Sequence, residues 1–251
     1  MQLGADVSHG PSGADRHAYA AMVGSIDLRG TKYAAACNIN GIGTEIITAV
    51  NMRRFTKTLL RSFRANTGQV PARILYFRDG VSESQYASVL ELEVAEIRAA
   101  CRELQPAYQP KITLTVVAKR HHTRLFPLDG AAIDRNGNAL PGVIVERDAT
   151  HPSEYDFFLV SHCALQGTAK PTHYQVLTDE NCIPVDAFQA LCYNMCFIYA
   201  RSTTSVSLVP AVYYAHLASA RCRALENREE GNTLDDLLPL NQALTDLMWY
   251  L

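Results

Sequence analysis

The sequence predicts an α/β domain built on a mixed central sheet flanked by helices. Three observations predict it. Short apolar runs joined by turn-rich links open the chain, helical periodicity then takes over twice, and an unbroken apolar run lies between the two helical stretches. Composition agrees. Of 251 residues, 48% are hydrophobic and 19% charged, enough apolar surface to offset chain entropy and exclude disorder. No apolar run reaches the roughly 18 residues of a membrane span, and Met1-Gln2-Leu3-Gly4-Ala5-Asp6 lacks the charged and apolar regions of a signal peptide. The formal charge of -2 is not the overall signature of a nucleic-acid-binding protein.

Leu3 to Val7 reads as the first strand. Tyr19 to Ile26 follows a Pro-Ser-Gly-Ala-Asp loop as the second, and Tyr33 to Ile39 follows the turn Asp27-Leu28-Arg29-Gly30 as the third, together an antiparallel meander. Met52, Phe55, Leu59 and Phe63 recur at helical spacing, and Gly68 closes that helix. Arg73-Ile74-Leu75-Tyr76-Phe77 has the continuous apolarity of a buried parallel strand. Ser82 opens a second helix whose stripe is Tyr86, Leu90, Val94, Ile97 and Cys101, and residues 112–118 form a further strand. The core order is therefore β-β-β-α-β-α-β, and a right-handed crossover sets the fourth strand beside and parallel to the first. Residues 127–152 are a loop or hairpin region. Strands follow from Tyr155 to His162 and from His173 to Leu177, then helices over about 184–200 and 210–226, begun by Pro184 and Pro210. The tail has little period. No linker interrupts the chain, so residues 1–251 are expected to form one domain.

Seven cysteines, an odd number without a CxxC pair, read as buried thiols of a reducing, cytoplasmic or nuclear compartment. Chemistry is expected elsewhere. The topology puts Asp6 and Asp79 at the C-terminal ends of adjacent parallel strands, the edge where open α/β sheets gather ligands. Two neighbouring carboxylates repel unless a proton or cation neutralises them. Oxygen-ligated Mg²⁺ or Mn²⁺ would serve, and so would the plainer reading of each aspartate as a helix cap.

The residues around those aspartates carry more. Leu3-Gly4-Ala5-Asp6-Val7-Ser8-His9, Tyr76-Phe77-Arg78-Asp79-Gly80-Val81-Ser82-Glu83, Lys119-Arg120-His121-His122-Thr123-Arg124 and Tyr213-Tyr214-Ala215-His216-Leu217 arrive in order, with Ser161-His162, Leu165-Gln166-Gly167-Thr168 and Pro171-Thr172-His173-Tyr174 between them. From Leu3 to about Arg223 the chain resembles the PIWI domain of eukaryotic Argonaute proteins. The resemblance implies a ribonuclease H-like fold and a guide-directed RNA endonuclease with an Asp-Glu-Asp-His centre: Asp6, Glu45, Asp79 and His216. In that pattern Asp6, Asp79 and His216 hold two Mg²⁺ or Mn²⁺ ions, and Glu45 closes the site from a mobile loop. Glu45 has an alternative, a place in the first turn of the helix that follows. Two-metal hydrolysis of this kind leaves 3′-hydroxyl and 5′-phosphate ends.

Guide-phosphate contacts carry over by motif position onto Lys119, Arg120, His122 and Arg124, and onto Gln166, Thr168, Lys170, Tyr199, Arg201, Ser207, Tyr213 and Arg221. Local cations of this kind offset the net charge, since phosphate contacts supply affinity wherever a basic stripe meets the backbone. Small guide RNA and complementary target RNA are the implied partners, along with tryptophan-bearing silencing proteins and no membrane. The family also carries an N-terminal lobe, a PAZ and a MID domain. None fits in a chain filled by PIWI motifs, so MID and PAZ are expected as partners outside it, with Trp249-Tyr250-Leu251 packing toward MID. A guide-RNA-holding scaffold that silences by recruiting partners, without cutting, is the second reading.

Overall fold

A computed structural model describes residues 1–10, 17–128, 132–226 and 237–251. Its centre is one eight-stranded sheet: β1 (Gln2–His9), β2 (His17–Ser25), β3 (Tyr33–Ile42), β4 (Arg73–Arg78), β5 (Lys111–Ala118), β6 (Val143–Val145), β7 (Asp156–Val160) and β8 (Thr172–Asp179). The spatial order is β3-β2-β1-β4-β5-β8-β7-β6. β1 to β3 form the expected meander, β4 lies parallel to β1 and to β5, and the other pairs are antiparallel. The Pro-Ser-Gly-Ala-Asp loop between β1 and β2 lies outside the described residues.

The expected helix is α1 (Ala49–Thr67). Thr48 caps its N-terminus through the Asn51 amide, Gly68 ends it at φ 71°, and Met52, Phe55, Leu59 and Phe63 are all buried. Because α1 starts at Ala49, Glu45 is not a first-turn residue but stands in the loop before the cap. The second helix differs from its expectation. Ser82 and Gln85 form a capping box, then α2 (Tyr86–Ser88) passes through a π-helical segment, Val89–Glu93, into α3 (Val94–Leu104). The wider π turn shifts the phase of the stripe. Val89 and Glu93 point inward, while Tyr86 and Leu90 are only partly buried.

Residues 127–152 hold a tight turn at Asp134–Asn138 and the short edge strand β6. α4 (Val185–Met195) begins behind Pro184 and ends earlier than its sequence period, and α5 (Pro210–Cys222) begins with Pro210. Two cores result. α1 and α3 cover one sheet face through Leu59, Ile97 and their neighbours. On the other, α4 and α5 pack Phe188, Val212 and Tyr214 against Phe77, Phe157 and Tyr174. Tyr250 joins this second core, 4% exposed with its ring 5.8 Å from Tyr214, so the chain end packs first onto its own α5.

Strand alternation decides what reaches the sheet edge. Leu3, Ala5 and Val7 belong to the α1/α3 core, leaving Gly4 and Asp6 on the face that α5 covers.

Candidate active site

α5 sits unusually close to β1 because residue 4 is glycine. A Cβ at Gly4 would stand 2.2 Å from the Ala211 carbonyl oxygen. Two residues along a strand advance about 6.7 Å, and five along a helix about 7.5 Å. Starting from the Gly4–Ala211 contact, the two elements therefore bring Asp6 and His216 level. His216 Nδ1 lies 3.1 Å from Asp6 Oδ2, and the Ser219 hydroxyl donates to the same oxygen at 3.1 Å. Asp6 is 5% exposed. Burial pushes its carboxyl up, but the His216 hydrogen bond and charge, with Arg78 and Ser219, outweigh burial and hold it below the usual range. The hydrogen bond to Asp6 in turn raises His216, against its partial burial.

Asp79 follows directly on β4, and its amide donates to the Ala5 carbonyl at 3.1 Å, which sets the two aspartates side by side. Burial raises the Asp79 carboxyl and the charge of Asp6 raises it further, despite the Gly80 amide donating to Oδ1 at 2.7 Å. Gly80 has φ 79°, and a Cβ there would stand 3.1 Å from Asp6 Oδ1. A side chain at that position would meet both strain and the carboxylate.

Glu45 reaches the same cleft from its loop, accepting a hydrogen bond from His9 Nε2 at 2.7 Å. Beneath it lies a buried ionic cluster. Arg78, 0% exposed, sends Nε to both Glu93 oxygens at 3.1 Å, Nη1 to the Asp79 carbonyl and Nη2 to the Glu45 carbonyl. Glu93 also accepts from the Tyr76 hydroxyl at 2.5 Å and from the Ile47 amide at 3.1 Å. The cluster ties the Glu45 loop to the end of β4. Sequence reasoning assigned no role to His9, Arg78, Glu93 or Ser219. A glutamate inside an apolar helical stripe was the available signal for Glu93, and the π turn concealed it.

Asp6, His9, Glu45, Asp79 and His216 line one cavity of about 530 Å³ together with Lys119, Arg120 and Tyr213. The donor types, carboxylate oxygens and an imidazole, suit Mg²⁺ or Mn²⁺, and a like-charge pair that raises Asp79 is relieved by a bound cation. Their arrangement is not yet that of ligands. Among the described residues no three His, Cys, Asp or Glu side chains converge as a metal-binding group. Asp6 and His216 face each other, and Asp79 turns Oδ1 to its own loop.

The expected phosphate contacts divide into two groups. Lys119 Nζ donates to Ser207 Oγ, which lies 2.6 Å from the Tyr213 hydroxyl, and the Tyr199 ring is 5.1 Å from Tyr213. Burial lowers Lys119, as does the charge of nearby Lys170. Burial raises Tyr199 against the lowering charge of Arg201, and the like charge of Arg120 opposes the rise of His216. Of the expected residues, Lys119, Arg120 and Tyr213 line the cleft, Ser207 joins Lys119 and Tyr213 by hydrogen bonds, and the Tyr199 ring packs on Tyr213. His122, Arg124, Gln166, Thr168 and Arg221 are exposed, and no contact joins them to that group among the described residues.

Asp6 lies within β1, which runs on to His9 against β2, and not at its end as the sequence suggests. The strand order, with Asp6 beside Asp79 at the end of β4, defines a ribonuclease H-like α/β protein, the class of its structural neighbours. Residues 1–227 match the Piwi domain, and the chain belongs to that family. It is 45% identical over 260 residues to the protein argonaute of Schizosaccharomyces pombe, covering 99% of this chain and 31% of that protein. The C-terminal lobe of a budding yeast Argonaute superposes with a TM-score of 0.90 at 33% identity, over 100% of this chain and 53% of that one. Kluyveromyces polysporus Argonaute with a guide RNA gives 0.89 at 33% identity, over 100% and 32%. The chain spans between about a fifth and a third of the length of the curated relatives it matches. No helix among the described residues is long and apolar enough to cross a membrane.

Proposed function

We propose that this chain is the cutting domain of a guide-directed RNA endonuclease in RNA silencing. The observation that carries the reading is the shared cavity of Asp6, Glu45, Asp79 and His216, bordered by Lys119, Arg120 and Tyr213. Carboxylates alone would repel a phosphodiester, so the cationic rim is what makes this cleft fit for RNA.

Each residue has a role that follows from its setting. Asp6, Asp79 and His216 would hold the Mg²⁺ or Mn²⁺ ions. Such ions, when bound, supply an activated water and neutralise charge on the leaving 3′ oxygen. Asp6 is fixed from the α5 side by His216 and Ser219. Glu45 is presented on a loop latched by His9 and Arg78, which hold it beside the other acidic residues, where it would complete the set. Lys119, Ser207 and Tyr213 form a preorganised donor group for guide phosphates, with Lys170, Tyr199 and Arg201 alongside. The remaining expected contacts, His122, Arg124, Gln166, Thr168 and Arg221, extend the path on exposed surface. MID and PAZ domains outside this chain would hold the two ends of the guide, and tryptophan-bearing proteins are further proposed partners. Of the seven cysteines, Cys101, Cys192, Cys196 and Cys222 are buried as expected, whereas Cys37 is only partly buried and Cys163 and Cys182 are exposed, which departs from the expectation of buried thiols. A cytoplasmic or nuclear setting is part of the proposal.

Glu45→Ala in the parent protein tests the reading. Cleavage of a complementary RNA should be lost while guide loading is retained. Cleavage at wild-type rate would remove Glu45 from the chemistry. A guide-holding scaffold that recruits partners is the second reading, favoured by the side chains not converging as metal ligands.

A further inference from the structure

α1 carries Arg53, Arg54, Lys57, Arg61 and Arg64 and no acidic residue, in a chain whose formal charge is -2. The fold neutralises two of the five. Arg53 pairs with Glu96 at 2.6 Å and with Glu103 at 3.1 Å, and Lys57 pairs with Glu103 at 2.7 Å. Arg54, Arg61 and Arg64 are exposed and have no ion pair among the described residues. Positions 54, 57, 61 and 64 recur at helical spacing, so they form one stripe on one face. Ten residues of helix make that stripe about 15 Å long. A stacked strand advances about 3.4 Å per phosphate, which gives the stripe room for roughly four phosphates.

Two properties identify the occupant. A docked peptide needs apolar or aromatic anchors at its centre. Along α1 the one exposed large hydrophobic residue is Val50, at its first turn. A phosphodiester backbone needs only charge. The stripe also lies on the helix that follows the cleft-lining Glu45 in the chain. The surface depression that contains Arg54, Lys57 and Arg61 begins at Ala49 and Val50, four and five residues after Glu45.

We propose that Arg54, Arg61 and Arg64, on the stripe that the Glu103-paired Lys57 shares, form a track for the single-stranded RNA that flanks the paired segment in the cleft. The proposal rests on the reading of the cleft as an RNA site. It adds a contact outside that site, one that holds target sequence not paired to the guide.

The test uses the guide-loaded parent protein and the triple variant Arg54→Ala, Arg61→Ala, Arg64→Ala. Three labelled RNAs are titrated at rising KCl: a target of guide length, the same target with unpaired flanks, and an unrelated oligouridine. Flanks should tighten wild-type binding about tenfold at low salt and steepen the salt dependence by about 2 in log–log slope, three phosphates at about 0.7 each. The variant should lose both effects and bind the short target as wild type does, and arginine-to-lysine replacement should restore them. Flanked and short targets binding wild type alike would overturn the track. So would a flank effect that survives the triple variant. Capture of a polyglutamate peptide by wild type but not by the variant, with no flank effect, would reassign the stripe to an acidic protein partner. Failure of the short target to bind would instead refute the cleft reading, and oligouridine would still report on the stripe.

Discussion

Gly4→Ala perturbs the candidate site without touching any of its side chains. The new Cβ would stand 2.2 Å from the Ala211 carbonyl oxygen and 2.9 Å from its Cβ. Ordinary packing distances need at least about 1 Å more, and both obstacles belong to α5, so the helix must retreat. Overpacking of this kind costs about 1–3 kcal/mol. The same retreat stretches the 3.1 Å contact between His216 and Asp6 beyond hydrogen-bonding range. Two measurements follow on the parent protein. Denaturant unfolding should show the loss of stability. An NMR titration of His216 should show its pKa falling toward the ordinary histidine value, since the Asp6 hydrogen bond is what raises it. Cleavage, where geometry near the reacting groups matters most, should fall roughly 100-fold. Wild-type stability together with an unchanged His216 titration would refute the argument that Gly4 sets the α5 position.

Three further outcomes are expected. Glu93→Ala leaves Arg78 charged and buried without its partner, so it should cost about 3–5 kcal/mol, and pairing it with Arg78→Met should recover most of that loss; equal stability of the single and double variants would contradict this. His162 is pushed down to about 4 by burial and by Lys119, and its Nδ1 has no hydrogen-bond partner among the described residues. Its folded pKa lies below the unfolded value near 6.5, so stability should be full above about pH 6.5 and fall by about 3 kcal/mol as pH drops toward 4; His162→Gln should flatten that acid limb, and parallel pH curves for the two proteins would show that another group governs it. Tyr250→Ala removes a ring packed on Tyr214 and should cost about 3 kcal/mol, whereas no change in the unfolding midpoint would mean that the chain end contributes nothing to the α5 core.

The central part of the fold was legible because its patterns are local. Met52, Phe55, Leu59 and Phe63 kept helical spacing up to Gly68, and the apolar run Ile74–Phe77 marks a strand paired on both sides, with Ile74, Tyr76 and Phe77 buried. Those two features sufficed to set Asp79 beside Asp6. What stayed hidden depended on contacts across the chain. β6 has three residues and owes its existence to pairing with β7, so no period of its own announces it. The π turn at Val89–Glu93 ends on the residue whose carboxylate meets Arg78 and Tyr76 beneath the Glu45 loop, a contact across the chain that helical period does not announce. In the candidate site, the four motif residues were found by resemblance, and strand alternation explains why Asp6 faces α5. Ser219 and His9 act through spatial neighbours 213 and 36 residues away, a separation that no motif spans.

Cutting is the central claim, and one assay tests it most directly. The parent protein is loaded with a 5′-phosphorylated guide and given a labelled complementary RNA with Mg²⁺ or Mn²⁺, beside Asp79→Ala. The account predicts a single cut at a fixed distance from the guide 5′ end, leaving 3′-hydroxyl and 5′-phosphate termini, and absent in Asp79→Ala. Tight binding of guide and target by both proteins, with the target intact in each, would contradict it and leave the scaffold reading in its place.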